Sequence, residues 1–375
     1  MRTVLISGAG VAGATLAYWL DRRGLQPTVV EQDQAVRSSG NPVDVRVAVL
    51  PIAREMGILP ALRDRATVAT KLVIIGREGR PIARLRGPNS GGQKKGDRSE
   101  VEIARADLAA VLLEACRDLD IRFDDSIAEL TQDPDGVDVR FRSGREQRFD
   151  LVIGADGVHS ATRRMIFGSE DQFVRRLGMF VGTTTVGVDT DPVDNTAVQL
   201  YNAPGRLTAI HPGRGVQRVA FIFRRSPDLP FDHRDAAQHR QIICDHYATD
   251  GWLVPDLLEL VRETDDLYFD AVSRIDLPRW SEGRVALVGD AASSISLLGD
   301  GSAKAILGAH TLAEELADSN DHRAAFRRYQ SRHAPLISSA RQVRIGASML
   351  VPATGPGLAV RNQLARMAGM FVSSP

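Results

Sequence analysis

The chain has 375 residues, enough for one large or two ordinary domains with an ample core. Its 47 Lys and Arg are balanced by 47 Asp and Glu, so no net field recommends nucleic acid or an anionic membrane as a partner. Cys116 and Cys244 are too few for a disulfide framework and lack metal-ligand spacing, which fits a reducing cytosol and an expected cytoplasmic location.

Val4 to Leu20 is an uncharged run behind Arg2, but glycines at 8, 10 and 13 interrupt it and no small-residue cleavage site follows. It is also short for a membrane span, so a soluble, unprocessed protein is expected. Thr3 to Ser7 reads as a buried strand, followed at once by Gly8-Ala9-Gly10-Val11-Ala12-Gly13. A helix over Ala14 to Arg23, a stop at Gly24 and a second strand over Pro27 to Val30 lead to Glu31. In such an arrangement Gly8 permits the tight turn, Gly10 lets a pyrophosphate approach the backbone, and Gly13 lets helix and strand pack closely. Glu31 lies 18 residues beyond Gly13, where a carboxylate accepts from ribose hydroxyls and repels a 2′-phosphate. The expected ligand is therefore an unphosphorylated adenosine such as FAD or NAD.

Further on, the pattern predicts a helix over Val45 to Met56, strands at Lys71 to Ile75 and Pro81 to Leu85, and a polar, glycine-rich surface loop over Pro88 to Ser99. Ile103 to Leu119 reads as a helix with Leu108, Val111, Leu112 and Ala115 on one face. Arg105 sits in its first turn, an unfavourable end for a cation unless an anion is near. Residues 121 to 149 read as a strand and a hairpin turning at Asp135-Gly136. Asp150 to Gly157 is another apolar strand running into a turn, with a helix from Ser160 onward, so Asp156 stands at a strand's carboxyl end. The run Val285 to Val288 ends the same way at Gly289-Asp290, ahead of a helix predicted over Ser302 to Ala317. In an open α/β sheet such ends share one edge, where ligands lie.

Between Phe173 and Asp276 the texture changes to β-branched, alternating segments with Pro/Gly turns and one helical stretch over Arg234 to Tyr247. This reads as a mostly antiparallel sheet inserted into the nucleotide-binding fold. A helix over Arg323 to Val343 and a final loop with a short helix over Met349 to Pro375 complete the chain. The expected fold is α/β: a Rossmann-like FAD-binding domain, an inserted antiparallel β-sheet substrate domain and C-terminal helices. The division is 1–172, 173–276 and 277–375.

Three stretches in this order, GAGVAG with Glu31, GADGVHSATR (Gly154 to Arg163) and GDAASSISLLGDGSAKAILGA (Gly289 to Ala309), resemble the single-component FAD-dependent aromatic hydroxylases, a family that includes p-hydroxybenzoate hydroxylase and the tetracycline-inactivating monooxygenases. The resemblance implies that Gly8, Gly10, Val11, Ala12, Gly13, Glu31 and Gln32 hold the ADP half of FAD and that Arg46 touches the cofactor. Arg105 is implied to contact the flavin side, and Asp156 to serve both FAD and transiently bound NAD(P)H. Gly289 and Asp290 are implied near the ribityl and pyrophosphate, and Gly299, Gly301 and Ser302 along the isoalloxazine ring. The sequence departs from the family at Ser293, where a His is common, at Ser296 and Leu297, where prolines are common, and at Asp300, often a Gln.

The activity so implied is an FAD monooxygenase. NAD(P)H reduces the flavin, O2 gives a C4a-hydroperoxide, and oxygen passes to a hydrophobic aromatic or polyketide-like substrate. A flavoprotein reductase acting without oxygen insertion, or a flavoprotein that binds without turnover, shares the same motifs. No residue announces itself as the catalytic base. His211, in a predicted strand of the inserted sheet, is a candidate, against a hydrogen-bonded structural role. No metal site is expected, and neither the nicotinamide donor nor the oligomeric state is legible.

Overall fold

The computed structural model describes residues 2–35, 42–87, 100–186, 196–213, 216–227, 230, 232–294, 301–337 and 340–370. The first half of the chain contains β1 (Thr3–Ser7), α1 (Val11–Arg22), β2 (Gln26–Val30), β3 (Pro42–Val45), α2 (Leu50–Glu55), α3 (Leu59–Asp64), β4 (Lys71–Ile75), β5 (Pro81–Arg86), β6 (Val101–Ala104), α4 (Arg105–Glu114), β7 (Asp120–Arg122), β8 (Ile127–Gln132), β9 (Val137–Phe141), β10 (Glu146–Phe149), β11 (Leu151–Gly154) and α5 (Ala161–Phe167). There follow β12 (Val174–Val186), β13 (Ala197–Ala203), β14 (Arg206–His211), β15 (Gln217–Arg224), α6 (Ala236–Tyr247), α7 (Val254–Glu263), β16 (Leu267–Ile275), β17 (Ser281–Glu282), β18 (Val285–Leu287), α8 (Gly301–Ala317), α9 (His322–His333), α10 (Ala340–Leu350) and α11 (Gly355–Met370).

The first sheet has the strand order β17-β18-β11-β1-β2-β7, parallel from β18 to β7. Its central strands β1, β11 and β18 and most of β2 are apolar because both faces are covered, as parallel sheets require, while the edge strands β7 and β17 are polar. Val4 and Ile6 point into a cluster with Trp19 of α1, Leu108 of α4 and Leu312 of α8, and Leu5 points the other way toward Phe141 and Phe149 of the small sheet β8-β9-β10. Helix α1 is buried along most of its length against α4 and α8, and its small residues Gly13, Ala14 and Ala17 suit that close approach.

The second sheet has the order β16-β12-β15-β14-β13-β4-β5, antiparallel except where β13 meets β4. One face is closed by α6 and α7 over Phe180, Phe221, Phe223 and Phe269. Tyr247 reaches in from α6 and donates to the carbonyls of Leu207, at 2.8 Å, and Ile222, at 3.0 Å. The opposite face carries Leu200, Leu207, Ala209, Ala220 and Ile222, which cluster with Ala347 of α10. Strands β4 and β5 precede the expected boundary at 173, so this sheet is assembled from both sides of it.

Several elements differ from expectation. Val45 belongs to β3, which pairs with β6, and the expected helix begins only at Leu50. Ile103 likewise lies in β6, so the following helix starts at Arg105 and ends at Glu114. Short apolar runs fit either period, and here strand pairing decides. Helix α7 was not foreseen; its Pro255 stands in the first turn, where a proline suits a helix. The expected helix over 323–343 is two helices, broken where Pro335 has no N–H to donate. The C-terminal helix α11 is long, spanning 16 residues and packing along β5. The polar stretch Pro88 to Ser99 lies outside the described residues. Among the described residues, no helix is long and apolar enough to cross a membrane, and no group of three or more potential ligands could hold a metal.

Candidate cofactor site

The carboxyl ends of β2, β1, β11 and β18 lie side by side, with Ser7 in register with Val30 on one side and Gly154 on the other, and Gly154 opposite Leu287. This register brings Glu31, Asp156 and Asp290 to one sheet edge. Gly8 takes φ +107, and a Cβ there would meet the Ala155 carbonyl oxygen at 2.6 Å. A Cβ on Gly13 would lie 1.9 Å from the Gly8 oxygen, so the turn closes only with glycine at both positions. Gly10 differs: its φ is −70, and a Cβ would meet nothing within 4 Å.

Gly10 is also the N-cap of α1, which has no side-chain cap and no acidic residue in its first turn. The free N–H groups and the positive end of the helix therefore face open space, the arrangement that takes a phosphate. Val11 and Ala12 open that helix and are buried. Glu31 Oε2 accepts the Ala9 N–H at 2.8 Å and Oε1 the Asp33 N–H at 3.1 Å, which fixes the carboxylate at the rim of the same turn. Gln32 borders a shallow recess with Asp124, Asp125, Arg142 and Ser143 beside it.

Asp156 is positioned otherwise than its neighbours. Its carboxylate accepts from the Ser160 hydroxyl and from the N–H and hydroxyl of Thr162, both at 2.9 Å, so it braces the start of α5. From that helix Arg163, fully buried, donates to the Ala291 carbonyl at 3.1 Å and so ties the turn after β11 to the turn after β18. Burial pushes its guanidinium pKa down, against the opposing charges of Glu170 and Asp156.

Gly289 takes φ +62 with its would-be Cβ 2.7 Å from the Ala12 methyl, so the β18 turn sits directly against the first turn of α1. Asp290 lies 3.8 Å from Arg105. That carboxylate supplies the anion whose absence made Arg105 odd in a helix's first turn. A recess is lined by Gly289, Asp290, Ser293, Gly301 and Lys304. Gly301 opens α8 with free space at its would-be Cβ, and Ser302 is buried in the same turn. Gly299 and Asp300, with Ser296 and Leu297, lie outside the described residues. Arg46 stands apart from Arg105: β3 and β6 are antiparallel, so the two arginines follow opposite ends of the pair, and Arg46 pairs with Asp44 at 3.8 Å.

His159 escaped the sequence reading. Its Nδ1 lies 3.0 Å from Glu170 and its Nε2 3.3 Å from Asp270 of β16, while His233 stacks on the ring at 4.0 Å. Lys304, which shares the recess with Asp290, was missed because it sits amid an apolar helix pattern.

A family model described as an FAD binding domain matches residues 1–342, and the chain belongs to that family. A flavin-dependent monooxygenase from an unknown prokaryotic organism is 35% identical over 343 residues, covering 90% of this chain and 87% of the relative. Among solved structures, the tetracycline destructase Tet(51) superposes with a TM-score of 0.84 at 28% identity, covering 100% of this chain and 99% of its own. Tet(55), another tetracycline destructase, gives 0.83 at 31% identity, covering 100% and 98%. The chain is thus an enzyme of the FAD-dependent monooxygenase kind, acting on a small molecule with O2.

Proposed function

We propose that the protein uses NAD(P)H and O2 to hydroxylate a hydrophobic aromatic or polyketide-like substrate, with FAD held along the sheet edge described above. The observation that carries this reading is the pairing of an uncapped, acid-free α1 N-terminus with open space over Gly10 and the fixed Glu31 carboxylate alongside. A pyrophosphate at Gly10, Val11 and Ala12 would meet free N–H groups, and Glu31 would accept from ribose hydroxyls, with Gln32 adjacent. The Asp290 turn and Gly301 with Ser302 would flank the ribityl and ring. Arg105, held near Asp290, would offer a cation on the same side, and Arg46 a further contact.

Bound FAD supplies the redox chemistry, taking hydride from the nicotinamide and activating O2. The chain's part is to hold the ring beside the second sheet, exclude water and orient the substrate. The apolar character of the second sheet is in keeping with a largely hydrophobic ligand. The names of the two solved neighbours support the polyketide-like class. A division into a flavin domain (1–172 with 277–375) and a substrate domain (173–276), the latter's sheet completed by β4 and β5, and a cytoplasmic location, belong to the same proposal.

The test is an absorbance spectrum of the purified protein, followed by NADH and NADPH oxidation against a phenolic and polyketide panel under 18O2. A flavin spectrum, ligand-accelerated oxidation and labelled product are expected. Colourless protein that takes up no FAD, or product without label, would overturn the proposal.

A further inference from the structure

Helix α11 has its polarity turned inside out. Its inward side meets the second sheet through Ala365, which clusters with Ile74 and Ala83, and through Gly369, where a Cβ would lie 2.6 Å from the Arg84 carbonyl oxygen. The polar residues Arg361 and Asn362 are turned to the covered side as well. Arg361 donates to Asn202 Oδ1 of β13 at 2.6 Å, while its Nε and the Asn362 Oδ1 are buried without a partner among the described residues. Burial lowers the Arg361 pKa. Val360, Leu364 and Met367, spaced by four and then three residues, form one stripe on the opposite side and are 61%, 52% and 49% exposed. Ala359, Gln363 and Ala368 border the stripe in the open, and Arg366 carries the charge on this side of the helix.

A surface helix ordinarily turns its apolar stripe to the core and its polar residues to solvent; α11 does the reverse, so its outer stripe is fitted to something other than water. Among the described residues eleven large apolar side chains stand exposed, and six of them fall between Leu336 and Met367, so the stripe belongs to a concentration at this end of the chain. Charge indicates what covers it. The balance of 47 basic against 47 acidic residues conceals a segregation: from His322 to Pro375 the chain carries eight arginines and no Asp or Glu. Arg328 and Arg332 are paired with Glu314 and Glu315 of α8, but α11, with Arg361 and Arg366, contains no acid of its own. A second copy would set this acid-free segment against itself, and three half-exposed side chains fall well short of the roughly 800 Å² per partner that a stable protein interface takes. A nucleic acid would match the charge and leave the stripe bare. A bilayer containing acidic lipids matches both features, taking a few apolar side chains at the headgroup boundary and arginines against its phosphates.

We propose that α11 is a peripheral docking element for an anionic phospholipid surface, with Val360, Leu364 and Met367 entering the headgroup boundary and Arg366 meeting lipid phosphate. The helix is 16 residues long, about 24 Å, and lies along the sheet, so it rests in the plane of the interface and does not cross it. The contact of Arg361 with Asn202 keeps the polar side inward and so holds the stripe outward before any lipid is met. No residue of the cofactor edge takes part, so the proposal stands apart from the proposed function.

The experiment is flotation of the FAD-loaded, full-length protein with two kinds of vesicle, pure phosphatidylcholine and an equimolar mixture of phosphatidylcholine and phosphatidylglycerol. The protein should bind the anionic vesicles at least about 5-fold better than the neutral ones, and added salt should narrow that difference. The triple variant Val360→Ser, Leu364→Ser, Met367→Ser should lose about 10-fold or more of its binding to the anionic vesicles, with an unchanged melting temperature and flavin content, because it alters only the outward stripe. Arg366→Gln should reduce the preference for anionic over neutral vesicles and leave the neutral binding as it was. Leu364→Ser alone provides the same comparison if the triple variant fails to hold FAD. Absence of binding to the anionic vesicles, or a triple variant that binds as the parent does, overturns the proposal. So does a parent dimer in sedimentation equilibrium that the triple variant loses, which would assign the stripe to a second copy of the chain.

Discussion

The imidazole of His159 is held 3.3 Å from both carboxylate oxygens of Asp270, joining the turn after β11 to the edge strand of the second sheet. Burial disfavours its charge, but hydrogen bonds and opposite charges from Asp270 and Glu170 outweigh that and raise its pKa to about 9. A histidine raised above its unfolded value of about 6.5 stabilises the fold fully below that pH, and the contribution is lost as the pH climbs through about 9. His159→Gln should therefore cost on the order of 2 kcal/mol at pH 6, and the gap to the parent should close by pH 10. Urea denaturation at the two pH values checks this, and a gap that does not change with pH counts against it.

Gly10 and Gly13 separate folding from cofactor binding. Gly13→Ala places a methyl 1.9 Å from a backbone oxygen and should destabilise the apoprotein by several kcal/mol. Gly10→Ala meets open space at an ordinary φ, so its apoprotein should melt within about 1 kcal/mol of the parent. Its FAD affinity should nonetheless fall by about 10-fold or more, because the methyl occupies the approach to the α1 N–H groups. Thermal melts and flavin fluorescence titrations measure the two quantities independently.

Glu31 acts on the same turn from the side. Glu31→Ala removes acceptors from the Ala9 and Asp33 N–H groups as well as the proposed ribose contact. Charged hydrogen bonds are worth about 1.5 to 3 kcal/mol, so FAD affinity should drop by roughly 10- to 100-fold. Equilibrium dialysis against FAD reads this directly, and an unchanged affinity would remove Glu31 from the proposed site.

Tyr247 tests the second sheet alone. Its hydroxyl reaches two strand carbonyls from α6 in a fully closed setting. Tyr247→Phe should cost about 1 to 2 kcal/mol in urea unfolding and leave FAD affinity unchanged, since the residue lies on the face away from the flavin side.

Much of the site was legible because it is local. Ser7, Gly8, Gly13 and Glu31 belong to one strand-turn-helix-strand unit whose steric needs are written in adjacent residues. The apolar strands ending at Asp156 and Asp290 were equally plain, and parallel pairing with β1 follows from their burial on both faces. What escaped depends on partners distant in sequence. Val45 and Ile103 look helical until each becomes the other's neighbouring strand, and Arg105 looks unsatisfied until Asp290 arrives. The part Asp156 plays in bracing α5, through Ser160 and Thr162 of the following turn, was not read from the sequence. Pro335 did announce the break between α9 and α10, and reading through it merged two helices.

The parallel pairing of β13 with β4 bears on how the molecule is made. On the ribosome, β4 and β5 emerge long before β13 exists, so their hydrogen-bonding edge must wait unpaired while the intervening chain is synthesised. Unpaired edges of apolar strands invite wrong partners, so that interval is when the nascent chain is most open to aggregation or chaperone capture. An expression fragment cut near residue 173 would carry the same bare edge permanently, and a cut there would leave two insoluble halves where the map of motifs suggests two domains.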